Sequence, residues 1–215
     1  MLADRVRIIL RYFSLLFLPL AAAAALRAQA IPPAALYTQF EQPPAPAVME
    51  SLRTEADAIM GRLGIDLTWR ELSAATGSEV SVQLAVVRFL GRCEVTALRP
   101  HREQPGALGW THESDGVILP FGSVDCDRIR SFLQADLVSF AADQRELIYG
   151  RAIGRVLAHE LYHIFTKSRH HSPDGVGKAA YATRDLLAGR FVFDAAESTE
   201  LRNTPSHAES ADMTH

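Results

Sequence analysis

The most constraining feature of the sequence is a short polar run at the end of a long helical pattern. Residues 159–163 read H-E-L-Y-H and follow residues 148–158, whose apolar side chains recur with helical spacing. On an α-helix, residues four apart are rotated by about 40° and raised by about 6 Å. His159 and His163 therefore leave one face of the helix a turn apart, close enough to bind one small cation, with Glu160 beside them.

Two histidines and a neighbouring carboxylate in this arrangement suit zinc chemistry. Zinc binds imidazole nitrogen and keeps one coordination position open for water, whose pKa it lowers towards neutrality. Glu160 is then placed to activate the zinc-bound water as general base when that water attacks a carbonyl. The alternative is a chance motif, with the two histidines solvated or bonded to backbone carbonyls. The helical context favours the metal site.

The first thirty residues have the order of a secretory signal peptide. Three arginines lie among the first eleven residues, and residues 12–26 are apolar and uncharged. Ala28 and Ala30 then fit a small-residue cleavage site. The apolar run is short for a bilayer span of about 20 residues. We therefore expect residues 1–30 to be a cleaved signal and the protein to be secreted or periplasmic; the alternative is a retained membrane anchor.

Charge narrows the classes of partner. Residues 1–30 hold four Arg and one Asp, so removing them changes the net charge from −3 to −6. Nucleic-acid binding needs a basic footprint, which argues against a nucleic-acid partner. No second apolar stretch is long enough to span a bilayer, so we expect no membrane contact after signal removal. The charge says little about a peptide or protein substrate, and we expect the protein to be a monomer.

The chain has two cysteines, Cys93 and Cys126, and both lie in the mature part. In an oxidising compartment an isolated pair favours one disulfide. Closing a loop of that length would stabilise the fold by about 3–4 kcal/mol in the chain-entropy model. The alternative is two buried free thiols.

The mature chain has the length of one domain with a substantial core. Residues 31–48 hold five prolines, a density typical of an extended linker. Residues 194–215 are polar and poor in large apolar side chains, which predicts a flexible tail. The catalytic domain is therefore predicted at residues 49–193.

Helical and alternating patterns follow one another within the predicted domain. Helices are predicted at 49–63, 128–140, 143–167 and 183–187, and strands at 65–69, 80–90, 124–127 and in two pieces of 106–120 around a turn at 113–116. This order predicts an α+β sandwich, a small mixed sheet packed on the long active-site helix with additional helices. Residues 106–110 are a candidate sheet edge to which an extended peptide could add as a strand.

Two histidines do not complete a catalytic zinc site, which normally takes three protein ligands and a water. His170 and His171 follow the end of the helix, so a chain that turns back there could bring either to the metal. Glu197 and Glu200 are carboxylate alternatives, but they lie in the polar segment predicted to be flexible.

Together these residues resemble the metzincin branch of the zinc peptidases, whose pattern is H-E-x-x-H-x-x-G-x-x-H followed by a turn with a Met beneath the metal. Thr166 and Arg169 stand here in the positions of the family's glycine and third histidine. The chain is more similar to short exported bacterial proteins of this kind, with a longer loop, a His-Ser pair and then G-I-M-[KR]-A. His171 matches that pair, and Gly177 stands in the position of the Met.

The resemblance implies a zincin-like fold and a zinc metallopeptidase with His159, His163 and His171 as ligands and Glu160 as general base. Tyr181 is a candidate oxyanion partner, although a core or surface role is preferred. Asp185 is a candidate acceptor for a ligand histidine, although capping of the short helix at 183–187 is preferred. The rival functions are a secreted zincin-fold binding domain without catalysis and a zinc hydrolase of another amide.

Overall fold

The computed structural model describes residues 34–78, 80–95 and 106–204. The predicted signal peptide and residues 205–215 lie outside this part. The strands are β1 (Ala34–Phe40), β2 (Leu67–Glu71), β3 (Gln83–Leu90), β4 (Gly109–Ser114) and β5 (Val117–Asp125). The helices are α1 (Pro46–Gly61), α2 (Cys126–Leu137), α3 (Ala142–Thr166), α4 (Thr183–Leu187) and α5 (Ala195–Asn203), with a 3-10 turn at Leu72–Ala74. None of the described helices is both long and apolar enough to cross a membrane.

The five strands form one mixed sheet in the order β2-β1-β3-β5-β4. β1 pairs in parallel with β2 and β3, β3 pairs in parallel with β5, and β4 lies antiparallel to β5 at one edge. The β4–β5 turn lies near its predicted position, with Asp115 and Gly116 both at positive φ. The α+β class, a small mixed sheet packed against helices, is therefore confirmed.

The predicted linker at 31–48 is wrong for most of its length. Residues 34–40 form β1, which lies inside the sheet, and Ala34 and Leu36 are fully buried in the core. The prolines at 43 and 44 follow this apolar strand and do not interrupt it. Pro46 begins α1, a position where the missing N–H costs nothing. The prolines at 43 and 44 therefore lie between β1 and α1, Pro46 is the first residue of α1, and the three do not indicate a flexible linker.

The predicted flexible tail is also wrong at its start. Residues 195–203 form α5, and Asp194 caps this helix by accepting a hydrogen bond from the backbone N–H of Glu197. Glu197 and Leu201 are buried. Glu197 and Leu201 are four residues apart, so they lie on one face of α5, and that face is buried against the domain.

The long helix α3 is the centre of the core. Its residues 149–165 are nearly all buried, and it packs against α1 on one side and against β5 and β4 on another. Gly150 and Gly154 allow α1 to come close, since a Cβ at position 154 would lie 2.6 Å from the carbonyl oxygen of Leu52. α3 is thereby fixed along the sheet, with its C-terminal turns at the edge formed by β4.

A disulfide joins Cys93 and Cys126, as the sequence predicted. It links the chain that follows β3 to the first turn of α2. Tyr149 of α3 donates a hydrogen bond to the carbonyl oxygen of Cys126 at 2.6 Å. The cross-link is therefore attached to the central helix.

Candidate metal centre

The last turns of α3 place His159 and His163 on one face, as helical spacing requires. Their side chains are buried, 8% and 7% exposed, and their Nε2 atoms lie 3.0 Å apart. The ring planes are nearly perpendicular, at 83°. The two rings therefore meet at their Nε2 atoms and do not stack.

The opposite nitrogens of these rings show which atoms carry hydrogens. His159 Nδ1 lies 2.7 Å from the carbonyl oxygen of Val176, and His163 Nδ1 lies 2.7 Å from the carbonyl oxygen of Ser168. A carbonyl only accepts, so each Nδ1 must be the donor. Burial also lowers the pKa of His159 to about 3 and lowers that of His163. Two neutral rings then point Nε2 lone pairs at each other, an arrangement that a shared cation relieves.

His171 lies beside this pair. Its ring centroid is 5.3 Å from that of His159 and 4.8 Å from that of His163. One ring nitrogen from each of the three histidines lies within 4.8 Å of the other two. His170 does not belong to this group. The structure thus brings together the three histidines that the sequence resemblance selected, and His171 is the exposed member.

His171 is carried by a loop that we term the strap, residues 167–178. Lys167 ends α3 in the left-handed conformation, with φ of 54°. The strap then closes on itself, because the backbone N–H of Ser172 donates to the carbonyl oxygen of Gly177 at 2.9 Å. Near its end, Val176 donates a backbone hydrogen bond to Val192. The helix ends early enough for the chain to return His171 to the helical pair.

The donor set fits zinc. Nitrogens bound to one zinc lie about 2.0–2.1 Å from it, so two of them can be at most about 4.2 Å apart. The 3.0 Å between the helical Nε2 atoms is well inside this limit, and the 4.8 Å span of the whole group is slightly outside it. A small movement of the exposed His171 ring would bring all three within reach. Both buried rings also have the carbonyl partners that fix a ligand histidine in the correct tautomer.

Glu160 lies next to the histidines and is buried, with 3% of its side chain exposed. Its Oε2 accepts a hydrogen bond from the Thr111 hydroxyl at 2.9 Å. Burial raises the pKa of Glu160 to about 7, and the Thr111 bond acts in the opposite direction. A Cβ at Gly109 would lie 2.8 Å from Oε1, so the glycine leaves room for the carboxylate under the edge strand. A carboxylate with this pKa can take up and release a proton near neutral pH.

The site opens on two adjoining cavities. One, of about 590 Å³, has an apolar wall that includes Leu108, Phe132 and Val156. The other, of about 420 Å³, runs along β4 past Trp110 and Thr111. His159 and Glu160 border both. The residues predicted as a candidate edge, 106–110, therefore do lie along the cleft, although β4 itself begins at Gly109.

Tyr181 lines the larger cavity, and its hydroxyl contacts His159 on the side of the ring opposite Nε2. Its hydroxyl donates to the carbonyl oxygen of Val176 and lies 3.0 Å from Nδ1 of His159, the nitrogen opposite the Nε2 that faces His163. Burial, followed by the charge of Glu160, raises the pKa of Tyr181. The structure thus gives this tyrosine a supporting contact with His159.

Asp185 has the role that the sequence favoured. Its Oδ2 accepts from the backbone N–H of Ala182, which precedes α4, and from Lys178 Nζ, both at 2.7 Å. Burial alone would raise the pKa of Asp185, but the hydrogen bonds from Lys178 and the Ala182 N–H, with the charges of Lys178 and Arg184, together lower it. The side chain caps α4 and binds the end of the strap.

Two residues around the site, Thr111 and Asp194, were not predicted, and Glu197, a candidate ligand by sequence, lies outside the three-histidine group and accepts a hydrogen bond from the Asp194 N–H. Nothing in the sequence near Thr111 points to the site, because its contact with Glu160 joins residues 49 apart. Asp194 and Glu197 did leave a signal. An Asp followed three residues later by Glu is the pattern of a capping box, and it would have predicted a helix start at 194.

Comparison with known proteins gives one match. No protein-family model and no curated protein matches the chain. Among solved structures, the fold is similar to the crystal structure of archaemetzincin from Methanopyrus kandleri, with a TM-score of 0.47 and 13% sequence identity over 80% of this chain and 94% of that one. A likeness at this level carries no argument about function, which must come from the site itself.

Proposed function

We propose that this protein is an exported zinc metallopeptidase that hydrolyses peptide bonds. His159, His163 and His171 hold the zinc, and Glu160 is the general base. The observation that carries the proposal is the pair of buried Nε2 atoms 3.0 Å apart, each with its Nδ1 bonded to a carbonyl. Two lone pairs held face to face are unfavourable unless a cation lies between them.

The chain supplies most of the chemistry through Glu160. When bound, zinc is a Lewis acid that acidifies a water and polarises a carbonyl. Glu160 takes a proton from the attacking water and passes it to the amine nitrogen that leaves as the C–N bond breaks. Thr111 holds one oxygen of the carboxylate, which keeps the other free for the proton.

The position of β4 supports a peptide substrate. β4 is the last strand of the sheet order, with β5 as its neighbour, and it lies along the cleft. An extended peptide that adds to this edge would form backbone hydrogen bonds and place one carbonyl near Glu160. The apolar cavity past Leu108 and Phe132 would then receive a substrate side chain.

Export and a monomeric state belong to the same proposal. The order of residues 1–30 supports a signal peptide, and the Cys93–Cys126 disulfide fits an oxidising compartment outside the cytosol. The negative charge of the mature chain weighs against a nucleic-acid partner. After signal removal, the partner is a peptide or protein substrate.

The test replaces the general base alone. The Glu160→Gln protein should bind zinc like the unmodified protein, because Glu160 is not a ligand, while cleavage of a peptide library falls by several orders of magnitude. Glu146→Gln, the same change on the same helix away from the site, is the matched control and should cleave normally.

Other outcomes of this test separate the rivals. Equal turnover by the Glu160→Gln and unmodified proteins contradicts the assignment of the base. Zinc bound without any cleavage supports a non-catalytic binding domain. Hydrolysis of a non-peptide amide to its acid and amine, with the peptide library left intact, supports a different zinc hydrolase.

A further inference from the structure

We propose that the first turn of α5 positions the metal site, with Asp194 and Glu197 holding the strap that carries His171. This proposal rests on the zinc site of the proposed function and extends it to a helix outside the motif. Both residues act through the strap and the ligands, so we assign them as positioning residues.

Asp194 joins the helix cap to the strap. One carboxylate oxygen accepts from the backbone N–H of Glu197 at 2.8 Å and the other from the Ser172 hydroxyl at 2.7 Å. Ser172 is 5% exposed and follows His171 directly. The hydrogen bond from the Glu197 N–H has the larger effect on the pKa of Asp194, and together with that from Ser172 it holds this pKa below its usual range. A single carboxylate therefore fixes both the start of α5 and the residue beside the third histidine.

Glu197 fills the space beneath the strap. It is 1% exposed, and its Oε2 accepts from the backbone N–H of Asp194 at 3.1 Å. Its Oε1 is buried and has no hydrogen-bond partner among the described residues. A Cβ at Gly177 would overlap this oxygen. The carboxylate thus occupies the space that a side chain at position 177 would take. A buried oxygen without a hydrogen-bond partner lowers the stability of the fold, so its presence beneath the strap requires an explanation.

The strap transmits this support to two of the three histidines. Ser172 bonds to Gly177 within the strap, and the next carbonyl back, that of Val176, accepts from His159 Nδ1. Hydrogen bonds joined by short stretches of backbone therefore connect Asp194 to His159, and His171 is attached to them through its neighbour Ser172.

A second hydrogen bond joins α5 to α3. Tyr162, which lies between the two helical histidines and faces away from the cleft, donates to Glu200 at 2.6 Å. α5 therefore contacts α3 and the strap at once. Groups hydrogen-bonded directly to metal ligands typically change metal affinity by about 10–100-fold when they are removed, and we expect groups that act through the strap to lie at the lower end of this range.

The experiment measures zinc affinity, with zinc itself as the probe, by competition with a chromophoric chelator. Asp194→Ala should bind zinc at least about 10-fold more weakly than the unmodified protein. Asp125→Ala is the matched control, because Asp125 caps α2 by the same kind of bond, to the N–H of Arg128. The control should lose stability to a similar extent and keep its zinc affinity.

Ser172→Ala is the second variant, and it leaves the α5 cap intact. Ser172→Ala should also weaken zinc binding. If circular dichroism shows that Asp194→Ala does not fold, the Ser172→Ala protein alone tests the proposal. If the folded variants bind zinc as tightly as the unmodified protein, the positioning proposal is overturned and the proposed function still stands. An unmodified protein that binds no zinc overturns both.

Discussion

The two halves of the candidate metal centre are held in different ways. The helix half consists of His159, Glu160 and His163 on α3, all buried; helix packing fixes their backbone, and carbonyls of the strap orient the two histidine rings. The strap half consists of His171 and the strap, and its histidine is exposed. Its position depends on side-chain bonds from α5, such as that between Ser172 and Asp194.

This difference predicts how each half responds to change. Packing along a buried helix involves many contacts, so no single distant substitution should displace the helical pair. The strap depends on a few hydrogen bonds, so loss of one should move His171 measurably. We therefore expect the helix half to determine whether zinc binds and the strap half to determine how tightly.

The largest effect is expected in the helix half. His163→Ala removes one of the two buried Nε2 atoms that face each other. The variant should retain no zinc after dialysis, and peptide hydrolysis should be lost with it. Metal content by mass spectrometry of the dialysed protein measures this directly. A full equivalent of zinc in this variant would break the comparison, because the helical pair would then not be the essential half.

A smaller effect is expected in the strap half. His171→Ala should weaken zinc binding but leave measurable affinity from the helical pair, since two nitrogen ligands remain. The same change at His170 is the control, because that neighbouring histidine lies outside the three-histidine group. Titration with zinc against a competing chelator measures both. If His170→Ala binds zinc more weakly than His171→Ala, the path of the strap differs from the one in which His171 lies beside the helical pair.

The smallest effect is expected where α5 meets α3. Tyr162→Phe removes the hydrogen bond to Glu200. The Glu200 side chain is partly exposed, so water can replace the lost hydroxyl. The free energy of unfolding should fall by about 1–2 kcal/mol. Urea unfolding of this variant, of Glu200→Gln and of the double variant gives the coupling between the two side chains. Additive effects would show that the bond does not contribute to the attachment of α5.

Local patterns were sufficient for the helix half. Helical periodicity predicted α3 at 143–167 against the observed Ala142–Thr166, and the spacing of His159 and His163 placed them on one face. The β4–β5 turn and the Cys93–Cys126 disulfide were also predicted from nearby residue types and from composition. Each of these features depends on residue spacing or on the number of cysteines.

The strap half and the two chain ends could not be predicted in this way, because long-range contacts determine them. Ser172 and Asp194 are 22 residues apart, and their bond determines where His171 lies. β1 is a strand because β2 and β3 pair with it on both sides, which a count of prolines does not reveal. α5 has only two buried residues, so its apolar pattern is too sparse to indicate a helix.

The proposed metal centre requires three imidazoles to share one divalent ion while Glu160 remains free of it. An anomalous-difference map, recorded from a zinc-loaded crystal on both sides of the zinc absorption edge, tests this most directly. We expect one peak, about 2.0–2.1 Å from a ring nitrogen of each of His159, His163 and His171, with the Glu160 carboxylate outside bonding distance. A map with no peak between the helical histidines, or with His171 turned away from the peak, would contradict it.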